Sequence, residues 1–111
     1  MKYSLNKLNE LSGGDKEFNT SVIQTFISET PDDIENLKKA IANKEFDHIY
    51  QFAHKIKPNA DLLGIDQVRE NMLAIEGHAR GDKNIDAIEK TYLEAETELQ
   101  AAFDAYRNYL K

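Results

Sequence analysis

The sequence predicts an all-α fold: an up-and-down four-helix bundle with an additional short helix or helices at the N-terminus. Apolar residues recur at three-and-four spacing through several long segments, the signature of amphipathic helices. No segment alternates apolar and polar residues over a useful strand length, and β-branched residues are sparse. The two prolines and five glycines fall mostly where helices should begin or end. Connections are therefore short, which makes consecutive helices antiparallel neighbours.

"SLNKLNEL" reads as a short first helix with Ser4 as its N-cap. Gly13 and Gly14 break it, and Asp15 caps the next segment, whose apolar face is Phe18, Val22 and Phe26 with Ile23 and Ile27 beside them. That face is expected to end near Thr30. "TPDDI" reads as a fresh start: Thr30 as cap, Pro31 at the first helical position, Asp32 and Asp33 at the positive end of the dipole, then a stripe of Ile34, Leu37 and Ile41. "NKEFD" breaks and restarts the chain. Phe46, Ile49, Ala53, Ile56, Ala60 and Leu63 form the seam of the following helix, which Gly64 ends, as a C-cap or as a point of close chain approach. Asp66 is expected to cap a helix with the seam Val68, Met72, Ile75 and Ala79. "RGDKN" is a turn, and Asn84 caps a long last helix running through Ile85, Ile88, Tyr92, Ala95, Leu99, Ala102, Tyr106 and Leu110.

One domain, residues 1–111, accommodates all of this. Residues 1–44 hold the N-terminal helices and 45–111 the histidine-bearing helix and its packing partners. Without cysteine, disulfides, thiolate zinc sites and cysteine nucleophiles are excluded together. The formal net charge is −6, and basic residues are scattered without a run. The electrostatic footprint of nucleic-acid or anionic-lipid binding is missing. "MKYSLNKLNELSGGD" has no continuous apolar run, so neither a signal peptide nor a spanning helix is expected. A soluble cytoplasmic protein is the expectation.

The stretch carrying chemistry is "FAHKIKPNADLLGI". Successive helical residues turn by about 100°, so His54 falls off the Ala53–Ile56 seam toward solvent. Lys57 three residues on and Tyr50 four back share its side of the helix, and Asp61 extends the row. A neutral imidazole carries a free lone pair near neutral pH and attacks phosphorus without a separate base. Phosphoryl transfer is chiefly positioning and electrostatic stabilisation, which a stiff helix and a lysine at i+3 supply. On spacing alone, a histidine on a helix flank is more often an ordinary surface residue.

The wider pattern resembles the histidine-containing phosphotransfer (HPt) domain family. "AHKIKPNADLLGI" is similar to its signature of a histidine, a lysine three residues on, small residues, and a glycine ten residues after the histidine. The "GGD" turn, the Pro-Asp step, the short break before the histidine helix and "IEGHARGD" also resemble the family, so the similarity covers nearly the whole chain. The resemblance implies a four-helix bundle in which His54 accepts and donates a phosphoryl group on the ring nitrogen farther from the backbone. It implies Lys57 as the stabilising cation and Gly64 as a structural glycine. The implied partners are response-regulator receiver domains and hybrid sensor histidine kinases, with a monomer as the working unit. No cofactor is expected in this chain, the Mg²⁺ belonging to the receiver. Tyr50, Gln51, Lys55, Pro58 and Asp61 are the expected docking residues around His54.

Two positions depart from the family pattern. Pro58 stands where the family often has glycine; it removes a backbone donor and crowds the carbonyl of His54, predicting a bend below the reactive side chain. Asp61 stands where a small residue is usual, and either tethers Lys57 at i+4 or weakens the local positive field. His48 and His78 read as surface and helix-end residues; no arrangement of inward histidines and repeated Glu-x-x-His pairs suggests a metal bundle. The acidic run "EAETE" with Asn84, Asp86 and Glu89 reads as a solvated face, and Tyr92, Tyr106 and Tyr109 as core edge. Nothing resembles a phosphate-binding P-loop or a kinase nucleotide loop, so the chain is not expected to be an autonomous kinase. The alternative reading is a helical interaction module that binds a receiver or another partner without carrying phosphate; a plain helical scaffold is weaker still.

Overall fold

Five helices and no strand make up the computed structural model, which describes residues 1–111. They are α1 (Asn6–Ser12), α2 (Lys16–Ala42), α3 (Phe46–Leu62), α4 (Asp66–Arg80) and α5 (Ile85–Tyr109). Each long helix packs on its neighbours in chain order, α5 closes back on α2, and diagonal helices make no close backbone approach. This is an up-and-down four-helix bundle, about 41 Å long and 20 Å across. The short α1 lies against α2 and α3.

The seams predicted for α3, α4 and α5 line one core of 25 buried apolar residues, with Phe46, Ile85 and Leu110 half-buried at its margin. The segment before α3 departs from expectation. Thr30 and Pro31 do not begin a new helix, because α2 runs unbroken for 27 residues through Pro31. The apolar row explains this: Ile23, Phe26, Thr30, Ile34, Leu37 and Ile41 keep three-and-four spacing across the proline and are all buried. Breaking the helix at Pro31 would take half of that row out of register, whereas continuing it costs one backbone hydrogen bond. In the same register Phe18 points outward, 43% exposed, so it is not part of the core face.

Helix ends follow local chemistry, with two corrections. The Asp15 carboxylate accepts from the amides of Glu17 and Phe18, and the Asn84 side chain from that of Ala87, as N-caps do. Ser4 is one residue too early to be the cap of α1, which is Leu5; its hydroxyl accepts from the Asn6 amide instead. Asp66 is the first helical residue of α4, not its cap, and pairs with Arg69. The α2–α3 and α3–α4 connections are both tight. In each, a left-handed residue (Lys44, Gly64) follows the last helical turn, and paired backbone bonds close the end: Glu45 to Ala40 and Ile65 to Ala60, at 3.0 and 2.8 Å.

Gly64 fulfils both roles suggested for it. It is the left-handed residue at φ +69°, and a Cβ there would stand 2.3 Å from the Ser4 carbonyl oxygen. The N-terminal strap crosses directly over it. Tyr3 stacks on Tyr106 at 6.0 Å, Lys2 and Tyr3 both donate to Glu98, and Lys7 pairs with Asp61. Glu98, Glu96 and Glu94 of the acidic run thus hold specific partners (Lys2 and Tyr3, Tyr92, Asn71) and are not merely solvated. Tyr92 and Tyr106 are buried, while Tyr109 is half exposed at the core edge, its ring set edge-on to Tyr106 at 6.4 Å. No helix is long and apolar enough to cross a membrane.

Candidate functional site

The tight Gly64 turn fixes the register of α3 against α4. Residues equidistant in sequence from Ile65 face one another: Asp61 and Arg69 four away, His54 and Glu76 eleven, Tyr50 and Arg80 fifteen. All three pairs are in contact.

At the centre of this ladder His54 projects from mid-α3 with its side chain 59% exposed, beside a Glu76 side chain only 7% exposed. Glu76 Oε2 lies 2.7 Å from His54 Nδ1, and Oε1 accepts from Lys57 Nζ at 2.6 Å. A carboxylate accepts only, so Nδ1 carries the proton and, in the neutral ring, the Nε2 lone pair is free. One buried carboxylate therefore sets the tautomer of an exposed imidazole and locates the neighbouring ammonium. Burying a carboxylate without partners is costly; here both oxygens are satisfied from α3.

The imidazole is also held by its face. The Tyr50 ring lies parallel to it, with centroids 5.5 Å apart and planes 12° apart. The Arg80 guanidinium sits 3.5 Å over the Tyr50 ring. On the other side of Lys57 a cleft of about 300 Å³ is lined by Lys57, Pro58, Asp61, Arg69 and Leu73, and Leu73 is largely exposed there.

Of the residues singled out from sequence, His54, Lys57 and Tyr50 come together. α3 continues through Pro58, which forms a wall of the cleft. Asp61 does not tether Lys57: it accepts from Lys7 and Arg69, whose hydrogen bonds, Lys7's first, hold its carboxyl below the ordinary value. Lys55 turns the other way, to the buried Asp33 of α2 at 2.9 Å, and that hydrogen bond raises its pKa. Gln51 is exposed on α3. Gly64 lies at the distant α3–α4 turn. His48 and His78 pair with Glu45 and Asp82, away from His54.

Glu76 and Arg80 are the residues that reading the sequence missed. Glu76 sits one position beyond the seam residue Ile75, a place easily taken for solvated flank. The signal was the symmetry about Ile65, which puts the only acidic residue near that level of α4 opposite His54.

An upright bundle presenting one exposed, carboxylate-oriented histidine with a lysine beside it is the architecture of a phosphotransfer module. The model of the Hpt domain family matches residues 21–109, and the chain belongs to that family. Members are phosphotransfer modules of two-component systems, working with receiver domains and kinases, and are not autonomous kinases. No curated protein and no solved structure matches the chain.

Proposed function

We propose that this chain is a phosphorelay intermediate that accepts a phosphoryl group on Nε2 of His54 from the aspartyl phosphate of a receiver domain and returns it to another. The observation that carries the reading is the hydrogen bond from Nδ1 to Glu76, which leaves Nε2 as the free nucleophile on an exposed side chain. In the forward step the Nε2 lone pair forms the N–P bond while the P–O bond to the aspartate breaks, and the electron pair leaves on the aspartate carboxylate. The Nδ1 proton stays in place, so the ring gains positive charge, which the buried Glu76 carboxylate offsets. Lys57 exchanges one Glu76 oxygen for a phosphoryl oxygen within the reach of its flexible stem. The receiver supplies the Mg²⁺ of the reaction, and this chain's own residues orient the ring and hold the charge.

The test is incubation with phosphorylated receiver domains of the same organism. Acid-labile, base-stable label is expected on the native chain and not on His54→Gln. Binding to receivers without any label, unaffected by His54→Ala, would select an interaction module instead.

A further inference from the structure

We propose that Tyr50 and Arg80 are positioning residues for His54: the guanidinium pins the phenol ring, and the phenol ring fixes the plane of the imidazole. This deepens the reading of His54 as phosphoryl acceptor and rests on it for its functional consequence.

A single hydrogen bond orients an imidazole only within its broad angular tolerance. The 2.7 Å contact from Nδ1 to Glu76 restricts rotation about Cβ–Cγ but leaves the ring to tilt within the tolerance of that bond, on a side chain that is 59% exposed. The direction of the Nε2 lone pair is set only when the plane is set too. Tyr50, one turn back on α3, supplies that plane with its parallel ring at 5.5 Å, inside the 4.5–7 Å range of offset stacking. Tyr50 is itself only half-buried and needs an anchor. Arg80, the last residue of α4, provides it from 3.5 Å above the ring, well within cation–π range. The same register that brings Glu76 to His54 brings Arg80 to Tyr50, one turn further along both helices. The two contacts, a point from α4 and a plane from α3, together aim Nε2 outward. An arginine at a helix C-terminus also favours the helix dipole, but that role needs no aromatic ring beneath it.

The test uses the full chain, and it separates this proposal from the function. Order parameters of the His54 ring carbons by ¹³C relaxation are compared in wild type, Tyr50→Leu, Tyr50→Phe, Arg80→Ala and Arg80→Lys. Backbone spectra check that each variant is folded. Tyr50→Leu and Arg80→Ala are expected to loosen the ring, with Tyr50→Phe and Arg80→Lys close to wild type. In transfer assays Arg80→Ala is expected to slow the first-order step within the receiver complex by about two- to fivefold, the worth of an exposed cation–π contact, while receiver affinity stays unchanged. A folded Tyr50→Leu protein with an equally ordered His54 ring and an unchanged transfer step would overturn the proposal. Absence of label on His54 from every receiver would remove the functional reading alone, because ring order still decides whether the clamp exists.

Discussion

Glu76 reaches from α4 to hold Nδ1 of His54 at 2.7 Å, from a position that is itself buried. Its other oxygen holds Lys57. The carboxylate thus acts on both residues of the His-Lys motif while standing outside it. The helix bearing His54 does not determine which of its ring nitrogens is free; the neighbouring helix does.

Glu76→Gln preserves shape but removes the charge and allows an amide donor to face Nδ1. The fraction of His54 with a free Nε2 lone pair should fall, visible in ring ¹⁵N shifts, and transfer should slow by about 10- to 100-fold, the rate equivalent of a charge-assisted hydrogen bond worth about 1.5–3 kcal/mol. Unaltered ¹⁵N shifts and rate would show that the contact does not set the tautomer.

Much of this was legible from residue spacing, and what was not has a common cause. The seams of α3, α4 and α5 follow from periodicity alone because each is an uninterrupted apolar row. Local start signals, Thr30-Pro31-Asp32-Asp33, outweigh periodicity when the stretch is read by itself and divide α2 at Pro31; the row from Ile23 to Ile41 wins once it can bury against α3 and α5. His54 and Lys57 were visible as neighbours on one helix. Glu76 and Arg80 act across helices, and a cross-helix pair is legible only after the turn is fixed. Asp61 shows the same limit: Lys57 was within reach along the helix, yet Lys7 and Arg69 reach it from other elements.

Substitution of Lys57 should separate stability from transfer. Lys57→Met should slow transfer at least about tenfold by removing a donor to the charge in transit. It also leaves the Glu76 carboxylate with one partner fewer, costing about 1–3 kcal/mol of stability. Adding Glu76→Gln should recover part of that stability, since the carboxylate then needs no cation, without recovering transfer. Additive losses in urea unfolding would deny the coupling of the two side chains.

Gly64→Ala should destabilise more than Gly13→Ala, although both glycines are left-handed, at φ +69° and +67°. Each alanine meets the left-handed penalty of about 1–2 kcal/mol. Only at residue 64 does the new Cβ collide with backbone, that of Ser4; nothing lies within 4 Å at residue 13. The excess in Gly64→Ala should appear as faster hydrogen exchange in α1. Equal unfolding midpoints for the two variants would mean that the strap yields without loss.

Stability should fail first at the N-terminal strap in acid, and at the strap together with α5 in alkali. Burial pushes the hydroxyls of Tyr3, Tyr92 and Tyr106 well above the ordinary phenol range, and Tyr3 and Tyr92 are raised further by their bonds to Glu98 and Glu96. A pKa raised on folding contributes stability that is complete below the unfolded value, near 10, and is lost as pH rises toward the folded value. The acid side has the opposite sign. Asp61, held down by hydrogen bonds from Lys7 and Arg69, and Glu98, by those from Lys2 and Tyr3, contribute stability that is complete above about pH 4 and lost as pH falls through their depressed values. Of these groups Tyr3, Glu98 and Asp61 fasten residues 2–7 to the bundle, through Lys2 and Tyr3 on Glu98 and Lys7 on Asp61, whereas the Tyr106 hydroxyl donates to the Leu63 carbonyl at the end of α3. Residue-resolved hydrogen exchange should therefore show the amides of α1 losing protection below about pH 4 while α3 and α4 remain protected, and above about pH 10 a loss that reaches α5, where Tyr92 and Tyr106 lie. Simultaneous loss of protection in α1 and α3 in acid would show that the strap is not a separately titrating unit.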